Sequence, residues 1–584
     1  MKKLLIIIGT LLCFNISQSQ QIIKETVNGI ILGDTNNVTI MKLWGTSYER
    51  FYAQGYLQAD GIAEIAFNHL IPEFGPYYQT ARNLITDGQT FYIDSIYQSN
   101  AQAMIDGMAD AGIDTTLLDY VDILVGNSYF DIGNFFGKSF GGHCSALMSW
   151  GEATEGTDLN GSPVITRHFD NVDYVEELLN NAVIVIHDPV EADLQPWLMV
   201  GYAGQITPTG IGINQQGVAV VHNAMGVGGP NYNQAYEPHQ FTMRKAIETL
   251  DYNGDGYNNT EDVRAAVSSN PQGYAVGFII NSIARFDPSS DSLTATIAEI
   301  APQPAYITFR TNSYDDLIPG DNIYAANSPI ARNNAHDYCW RYYSVKNHIG
   351  DGTGLGSEES WALMRDYSHQ SILSYMFLQY IPDWDVLNLS AYRDGTNAWE
   401  LDSTRFYIRE FFNHAPQFTS EPDTTAIIGE SYSYEIVVAD PDPYDTISIT
   451  AELIPDWLNF MDNGDGTAIL SGTLDQTGNF EVKLKASDGL SYTMQEFNIN
   501  FVVNILNAYN PKILIYPTVF SDNIYVESDI EAELNIYSSN GKHIKQFNLK
   551  DNRHKIDLSS IPSGIYYCVV SYGKNQKTYK TIKY

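Results

Sequence analysis

Four cysteines in 584 residues exclude a disulfide-stapled fold. Cys13 falls inside an apolar N-terminal stretch, so a mature chain keeps Cys144, Cys339 and Cys568. A lone cysteine in such a chain is ordinarily a small buried hydrophobe, and only its surroundings can argue otherwise. Positive charge is equally scarce: 32 Lys and Arg face 69 Asp and Glu, a net of −37. A surface of that sign repels phosphate backbones, which excludes nucleic acid as a partner. Long apolar runs are missing too. The run from Leu4 to Phe14 is shorter than the ~20 residues a membrane-spanning helix needs, and no later stretch is longer, so no transmembrane segment is expected.

What stands at the N-terminus is Met1-Lys2-Lys3, the apolar run, then Ser17-Gln18-Ser19-Gln20. Basic, apolar and small-polar zones in that order predict a signal peptide over residues 1–20, hence a secreted or cell-surface protein. Hydrophobic residues make up 44% and aromatics 12%, enough for packed cores, which excludes a mainly disordered chain. The length predicts about three or four domains. Residues 512–584 hold ten Lys or Arg and seven Asp or Glu, a net of +3, which leaves −37 − 3 = −40 for residues 1–511. So abrupt a change of sign marks a separate C-terminal module.

Apolar spacing predicts helices over Asp60 to His69 and Ala101 to Val125. From Ser145 the pattern becomes strands: 145–152, 162–170, 181–187, 197–202, 210–214 and 217–223. Helices return at 240–250, 259–268 and 357–366, which predicts an α+β domain with sheets layered between helices. Beyond Asn413 only strands are legible. Alternating runs at 433–438, 446–451, 468–471 and 480–486 predict a β-sandwich over residues 415–503, with Asp462 to Thr467 as a hairpin turn. A linker at 504–510 and a second all-β module at 512–584 follow.

Cys144 starts a strand after Gly141-Gly142-His143, and the return strand ends Arg167-His168-Phe169-Asp170. The end of a hairpin's second strand comes back beside the start of its first, so Arg167 and Asp170 become neighbours of Cys144. A guanidinium there favours the thiolate, the nucleophilic form. His143, His168 and His222 show no metal-ligand spacing.

Cys144-Ser145-Ala146-Leu147, a hairpin, then Arg167-x-x-Asp170 resembles the N-terminal-nucleophile cysteine hydrolases of the penicillin acyltransferase (peptidase C45), acid ceramidase and bile-acid hydrolase group. Gly45-Thr46-Ser47-Tyr48-Glu49-Arg50 with Gly55, Gly212-Ile213-Asn214-Gln215-Gln216-Gly217-Val218, and Asn322 to Pro329 resemble that group's further motifs in order, over roughly residues 30–412. The resemblance implies a four-layer αββα fold and a precursor that cuts itself before Cys144. Residues 21–143 would then be a propeptide or small subunit and 144–412 the hydrolase core. It implies Cys144 as nucleophile with its own freed α-amine as base, Asp170 on that ammonium, and Arg167 on the thiolate or the substrate. It further implies Asn327 and Asn223 as oxyanion donors, each such donor worth ~3–4 kcal/mol of barrier, and Arg341 as a further active-site cation. The implied substrate is a small molecule with a non-peptide amide, and no cofactor is needed for catalysis. A phospholipase B-like lipid hydrolase on the same fold, and a calcium-dependent adhesin with a degenerate hydrolase domain, are the alternatives.

The segment from Asp251 to Asp262 has the spacing of an EF-hand loop: Asp251, Asn253, Asp255, Asn259 and Asp262 at positions 1, 3, 5, 9 and 12, with Gly256 at 6 and Tyr257 giving a carbonyl. A structural Ca²⁺ is the expectation. Residues 415–503 resemble Ig- or cadherin-like modules through Asp440-Pro441-Asp442, Trp457-Leu458, Gly472-Thr473-Leu474 and Ala486-Ser487-Asp488-Gly489. Residues 512–584 resemble the type IX sorting domain through Tyr516-Pro517, Ile536 to Lys542 and Gly564-Ile565-Tyr566-Tyr567, implying the type IX secretion machinery as partner and removal of the tail on export.

Overall fold

A computed structural model describes residues 23–584 except 138–142, 172, 227, 287–292, 370–372, 443–444, 503–510 and 551. The expected signal peptide, the Gly141-Gly142 turn and the expected linker lie outside the described residues. The chain divides into two units. The first takes residues up to Ala415 together with Asp440–Asp445 and Asp488–Tyr492, and the second takes the remainder.

In chain order the strands of the first unit are β1 (Lys24–Thr26), β2 (Gly29–Thr35), β3 (Val38–Gly45), β4 (Ser145–Ser149), β5 (Val164–Asn171), β6 (Ala182–Pro189), β7 (Trp197–Tyr202) and β8 (Ile211–Asn214). They continue as β9 (Ala219–Ala224), β10 (Phe278–Ile283), β11 (Ala295–Ile300), β12 (Ile307–Arg310), β13 (Asn322–Ala325), β14 (Leu373–Ile381), β15 (Val386–Ala391) and β16 (Thr404–Tyr407). A ten-stranded sheet runs β1-β2-β3-β6-β7-β8-β9-β10-β11-β12, and a six-stranded sheet runs β13-β4-β5-β14-β15-β16.

Their inner faces share one core: Ile184, Val200 and Val221 of the large sheet meet Met148, Ile165 and Leu378 of the small one. The outer face of the large sheet, with Val185, Met199 and Val220, buries helices Ser47–Leu57, His239–Glu248 and Thr260–Ser268. The outer face of the small sheet, with Leu147 and Phe377, buries helices Trp340–His348 and Ser357–Tyr367. This is why β4 is buried at every position and does not alternate: both of its faces are covered. The layers are helices, sheet, sheet, helices.

The strands from 145 to 223 fall where the apolar runs between turns predict them, β4 ending earlier at Ser149 because Gly151 turns the chain in the left-handed region. The expected helix over Ala101 to Val125 does not exist as one element. Ser95–Asp110 and Tyr120–Asn127 are separate helices. Gly112 at φ +95° closes the first, with Ile113 N–H donating to the Met108 carbonyl at 3.1 Å, and Asp119 caps the second by accepting from Val121 N–H at 2.8 Å. Asp60 to His69 is helical but changes gauge, an α-helix at Ala59–Glu64 passing into a π-turn at Ile65–Leu70.

In the second unit, two four-stranded sheets enclose Ile436, Leu470, Val482 and Ile499. Asp462 to Thr467 is the expected turn, Asp465 accepting from Thr467 N–H at 3.1 Å between strands Leu458–Asp462 and Thr467–Thr473. A three- and a five-stranded sheet enclose Ile524, Leu534, Ile536 and Val570. Cys568 sits fully buried in that core, where burial lifts its thiol pKa to about 11, so it is packing material. No helix among the described residues is long and apolar enough to cross a membrane.

The Thr46–Glu49 capping box opens helix Ser47–Leu57, and that helix crosses Ser95–Asp110 at two glycines. A Cβ on Gly55 would stand 2.0 Å from the Met104 carbonyl oxygen, and one on Gly107 would stand 2.1 Å from that of Tyr52. Both obstacles are backbone and cannot rotate away. Gly55→Ala and Gly107→Ala are each expected to destabilise by about 1–3 kcal/mol or more. Gly126→Ala, whose nearest contact is an ordinary 3.5 Å, is expected to be neutral or stabilising. Denaturant unfolding of the three variants measures the contrast.

Candidate active site

Cys144 immediately precedes β4 and is 3% exposed, set into the core between the sheets. The hairpin register pairs Ser145 with His168 and Ala146 with Arg167, and His143 N–H donates to the Asp170 carbonyl at 3.2 Å. Cys144, Arg167 and Asp170 are therefore gathered as the hairpin predicts. Arg167 is wholly buried. Its Nη1 donates to the carbonyls of Thr209, at 3.2 Å, and Gly210, its Nη2 to that of His222, and its guanidinium reaches the Cys144 thiol. Burial pushes the Cys144 thiol up; Arg167 pulls it down, Asp170 pushes it up, and the Asp170 backbone amide favours the thiolate. Asp170 is 1% exposed, and its carboxylate lies 3.8 Å from His168 Nδ1.

Arg341, at the start of helix Trp340–His348, is 1% exposed and joins this group from the far side of the small sheet. Its Nη1 donates to the carbonyl oxygens of both His143 and Cys144, the latter at 3.1 Å. Its Nη2 donates to Asn327 Oδ1. The carbonyl of the peptide bond on the N-terminal side of Cys144 is thus held by a guanidinium. The two asparagines expected to aim amide groups at the nucleophile are engaged elsewhere in the uncut chain: Asn327 Nδ2 donates to the Ala224 carbonyl at 2.6 Å, and Asn223 Nδ2 to that of Ala325 at 3.2 Å. Both cross between the ends of β9 and β13, so they tie the two sheets together next to Cys144.

Cys144 forms part of the wall of a cavity of about 530 Å³. Ile62, Leu70 and Ile123 from the helical segment before Cys144 line it, with Phe169, Tyr202 and Tyr375 from the sheets. Tyr202 escaped the sequence: its hydroxyl is buried with no partner among the described residues, and nothing in Trp197 to Tyr202 distinguishes it from a core strand.

The Asp251–Asp262 loop lies apart from this cavity, between helices His239–Glu248 and Thr260–Ser268. Its oxygens accept backbone N–H groups: Asp251 from Gly254, Asp255 and Gly256, Asn253 from Asp255, Asp255 from Tyr257, and Asp262 from Tyr252, Asn253 and Asn259. Asn259 caps the following helix, and the Tyr257 ring is exposed. The one trio of His, Cys, Asp or Glu side chains whose ligand atoms lie within 4.8 Å of one another among the described residues is elsewhere, Asp440, Asp445 and Asp488, and Arg409 pairs with Asp445.

The buried thiol gives a measurable pH response. In the uncut chain, iodoacetamide alkylation of Cys144 is expected to reach half its limiting rate above the ordinary thiol pKa of ~8.5. Arg167→Met is expected to move that midpoint further up and Arg167→Lys to move it less, because the guanidinium favours the thiolate. Peptide mass spectrometry across pH reads the rates, and a midpoint unmoved or lowered in Arg167→Met would refute the coupling.

Two family models match the end of the chain. Residues 415–504 match the family described as "Putative Ig domain", and residues 514–584 match the secretion system C-terminal sorting domain. No curated protein matches the chain. Solved structures with some likeness include a "putative alpha-galactosidase" from Bacteroides fragilis NCTC 9343, 22% identical over 15% of this chain and 18% of that one, at a TM-score of 0.13. The SrpA adhesin from Streptococcus sanguinis is 18% identical over 19% of this chain and 66% of that one (TM-score 0.15). The titin domains z1z2 in complex with telethonin are 14% identical over 29% and 96% (TM-score 0.19). The chain spans less than two thirds of the length of the first two, and scores this low carry no inference. The sorting domain does: the protein is a substrate of type IX export, delivered to the cell surface or released, with an Ig-like domain ahead of its sorting tail.

Proposed function

We propose that this chain is an exported, self-processing cysteine hydrolase or acyltransferase of the N-terminal-nucleophile kind, acting on a non-peptide C–N amide through a Cys144 thioester. The observation that carries this reading is the grip of Arg341 on the carbonyl oxygens of His143 and Cys144, beside a thiol that burial pushes up and Arg167 partly draws back toward thiolate. A carbonyl held by a cation is prepared for the charge that develops when a nucleophile adds to its carbon.

In the first step the Cys144 sulfur adds to the His143 carbonyl carbon, and the oxyanion forms against Arg341. The C–N bond breaks, the Cys144 nitrogen takes the thiol's proton, and water hydrolyses the resulting thioester to a His143 carboxylate. Cys144 is then an N-terminus, and its α-amine, with an ordinary pKa of ~7.7–8.0, serves as base for its own thiol. Asp170, buried beside it, supports the ammonium form. Departure of His143 frees Arg341 Nη1 for the acyl oxygen of a substrate in the cavity. Asn327 keeps Arg341 in place, and Asn223 braces the sheet behind it. The sulfur then attacks the substrate's acyl carbon, the amine leaves, and water or a second amine resolves the thioester. A lipid hydrolase using the same nucleophile is the second reading, favoured by the apolar lining from Ile62, Leu70, Ile123 and Phe169. The oxygen-only donor set of Asp251, Asn253, Asp255, Tyr257, Asn259 and Asp262 suits Ca²⁺ as a structural ion.

Intact mass and N-terminal sequencing test the main reading. The exported protein is expected as two fragments divided before Cys144, Cys144→Ala as one chain, and Arg341→Leu as a precursor cut about 10²–10³-fold more slowly, the range for loss of one oxyanion donor. A wild-type chain that stays whole, with a Cys144 that no electrophile labels, would favour the adhesin alternative. For calcium, the thermal midpoint of the wild type is expected to fall on chelation and that of Asp251→Ala to be insensitive to it. A wild-type midpoint unmoved by chelator rejects the ion.

A further inference from the structure

His222, Phe130 and Phe278 also line the Cys144 cavity. His222 lies on β9 one residue before Asn223, and neighbouring residues of a strand face opposite sides. Asn223 turns to the small sheet, where it meets Ala325; His222 turns to the helices, where its Nδ1 stands 2.7 Å from His239 Nε2. The other nitrogen of His239, Nδ1, stands 2.8 Å from Asp131 Oδ2. All three side chains are buried, at 1%, 0% and 0% exposure for His222, His239 and Asp131.

We assign the protons of this chain with the Asp131 carboxylate as acceptor, hydrogen on His239 Nδ1 and a lone pair on His239 Nε2. His222 Nδ1 must then donate to it, and burial keeps His222 neutral. That leaves His222 Nε2 as a bare acceptor. It has no protein partner among the described residues, and the His222 ring packs beside those of Phe130, edge-on at 5.6 Å between centroids, and Phe278 at 5.0 Å.

We propose that the Asp131–His239–His222 chain is the recognition device of the cavity: His222 Nε2 accepts a hydrogen bond from an O–H or N–H group on an otherwise apolar ligand, and Asp131 fixes the polarity of that acceptor. The inference rests on reading this cavity as the substrate site of Cys144. Asp131 belongs to the segment before Cys144 and both histidines to the segment after it, so the device is incomplete without both sides of the proposed cut. An ether or ester oxygen can only accept and would make no hydrogen bond to a bare His222 Nε2, so the selected ligand carries a free hydroxyl or amide N–H.

The test uses the full-length Cys144→Ala protein, in which no chemistry can occur, and two probes of similar size, octan-1-ol and 1-methoxyoctane, followed by calorimetry. The alcohol is expected to bind about tenfold more tightly than the ether, and His222→Phe in the same background to abolish that preference. Equal affinities, or a preference that survives His222→Phe, would overturn the proposal. Should His222→Phe not fold, ¹⁵N-histidine spectra of the Cys144→Ala protein decide: the expected result is a proton on His222 Nδ1 and a bare Nε2 whose resonance shifts with octanol. A protonated Nε2, or one that octanol does not move, refutes it. Because the binding experiment involves no cleavage, its failure leaves the catalytic reading standing, and a failure of self-cleavage leaves this result unaffected.

Discussion

A guanidinium without access to water is the constraint around which the first unit is arranged. Burying an isolated cation is prohibitive unless every donor finds an acceptor in good geometry. Arg167 meets most of that demand by reaching from the small sheet into the large one, where the carbonyls of Thr209, Gly210 and His222 receive its Nη1 and Nη2, while its Nε has no partner among the described residues. Those carbonyls belong to the approach to β8 and to β9, so the spacing of the two sheets is set at the point where Cys144 enters β4. The thiol's environment follows: it is dry, which disfavours charge, and it touches one fixed cation, which restores part of what dryness removes. Neither would hold if the sheets could slide, and the amide bridges from Asn223 to Ala325 and from Asn327 to Ala224 prevent it on the same side.

What could be read from the sequence depended on sequence distance. The hairpin from Cys144 to Asp170 is local, the end of its second strand returns beside the start of its first, and the neighbours it brings together were legible. The strand pattern of the second unit was legible for the same reason: Ser431–Ala439 alternates exposed and buried at every residue, as a two-faced sheet must. The break at Gly112 was harder, because apolar spacing continues through it and only the left-handed glycine and the Asp119 cap divide the helices.

The roles of Arg341, Asn223 and Asn327 were not fixed by their motifs. Each motif locates a residue near Cys144, but which atom faces it depends on partners one or two hundred residues away, and here Asn327 turns its oxygen to Arg341 and its nitrogen to Ala224. The contact between His239 and Asp131 spans 108 positions, and three isolated residues of common types leave no periodic or compositional trace of it. The same limit hid Tyr202.

Strand β3 pairs in parallel with β6 over eight residues, from Val38 opposite Ala182 to Gly45 opposite Pro189. Three of the ten strands in the large sheet therefore come from chain that precedes Cys144. In the intact chain these strands find their places by closing a loop, a unimolecular event whose entropic cost grows slowly with loop length. Were the chain cut before Cys144 as proposed, the same pairing would survive, but its re-formation after unfolding would become a second-order encounter between two polypeptides, slower with every dilution. Outside the cell, where concentration is low and no chaperone waits, a protein so divided would persist through the height of its unfolding barrier and not through an equilibrium it can revisit.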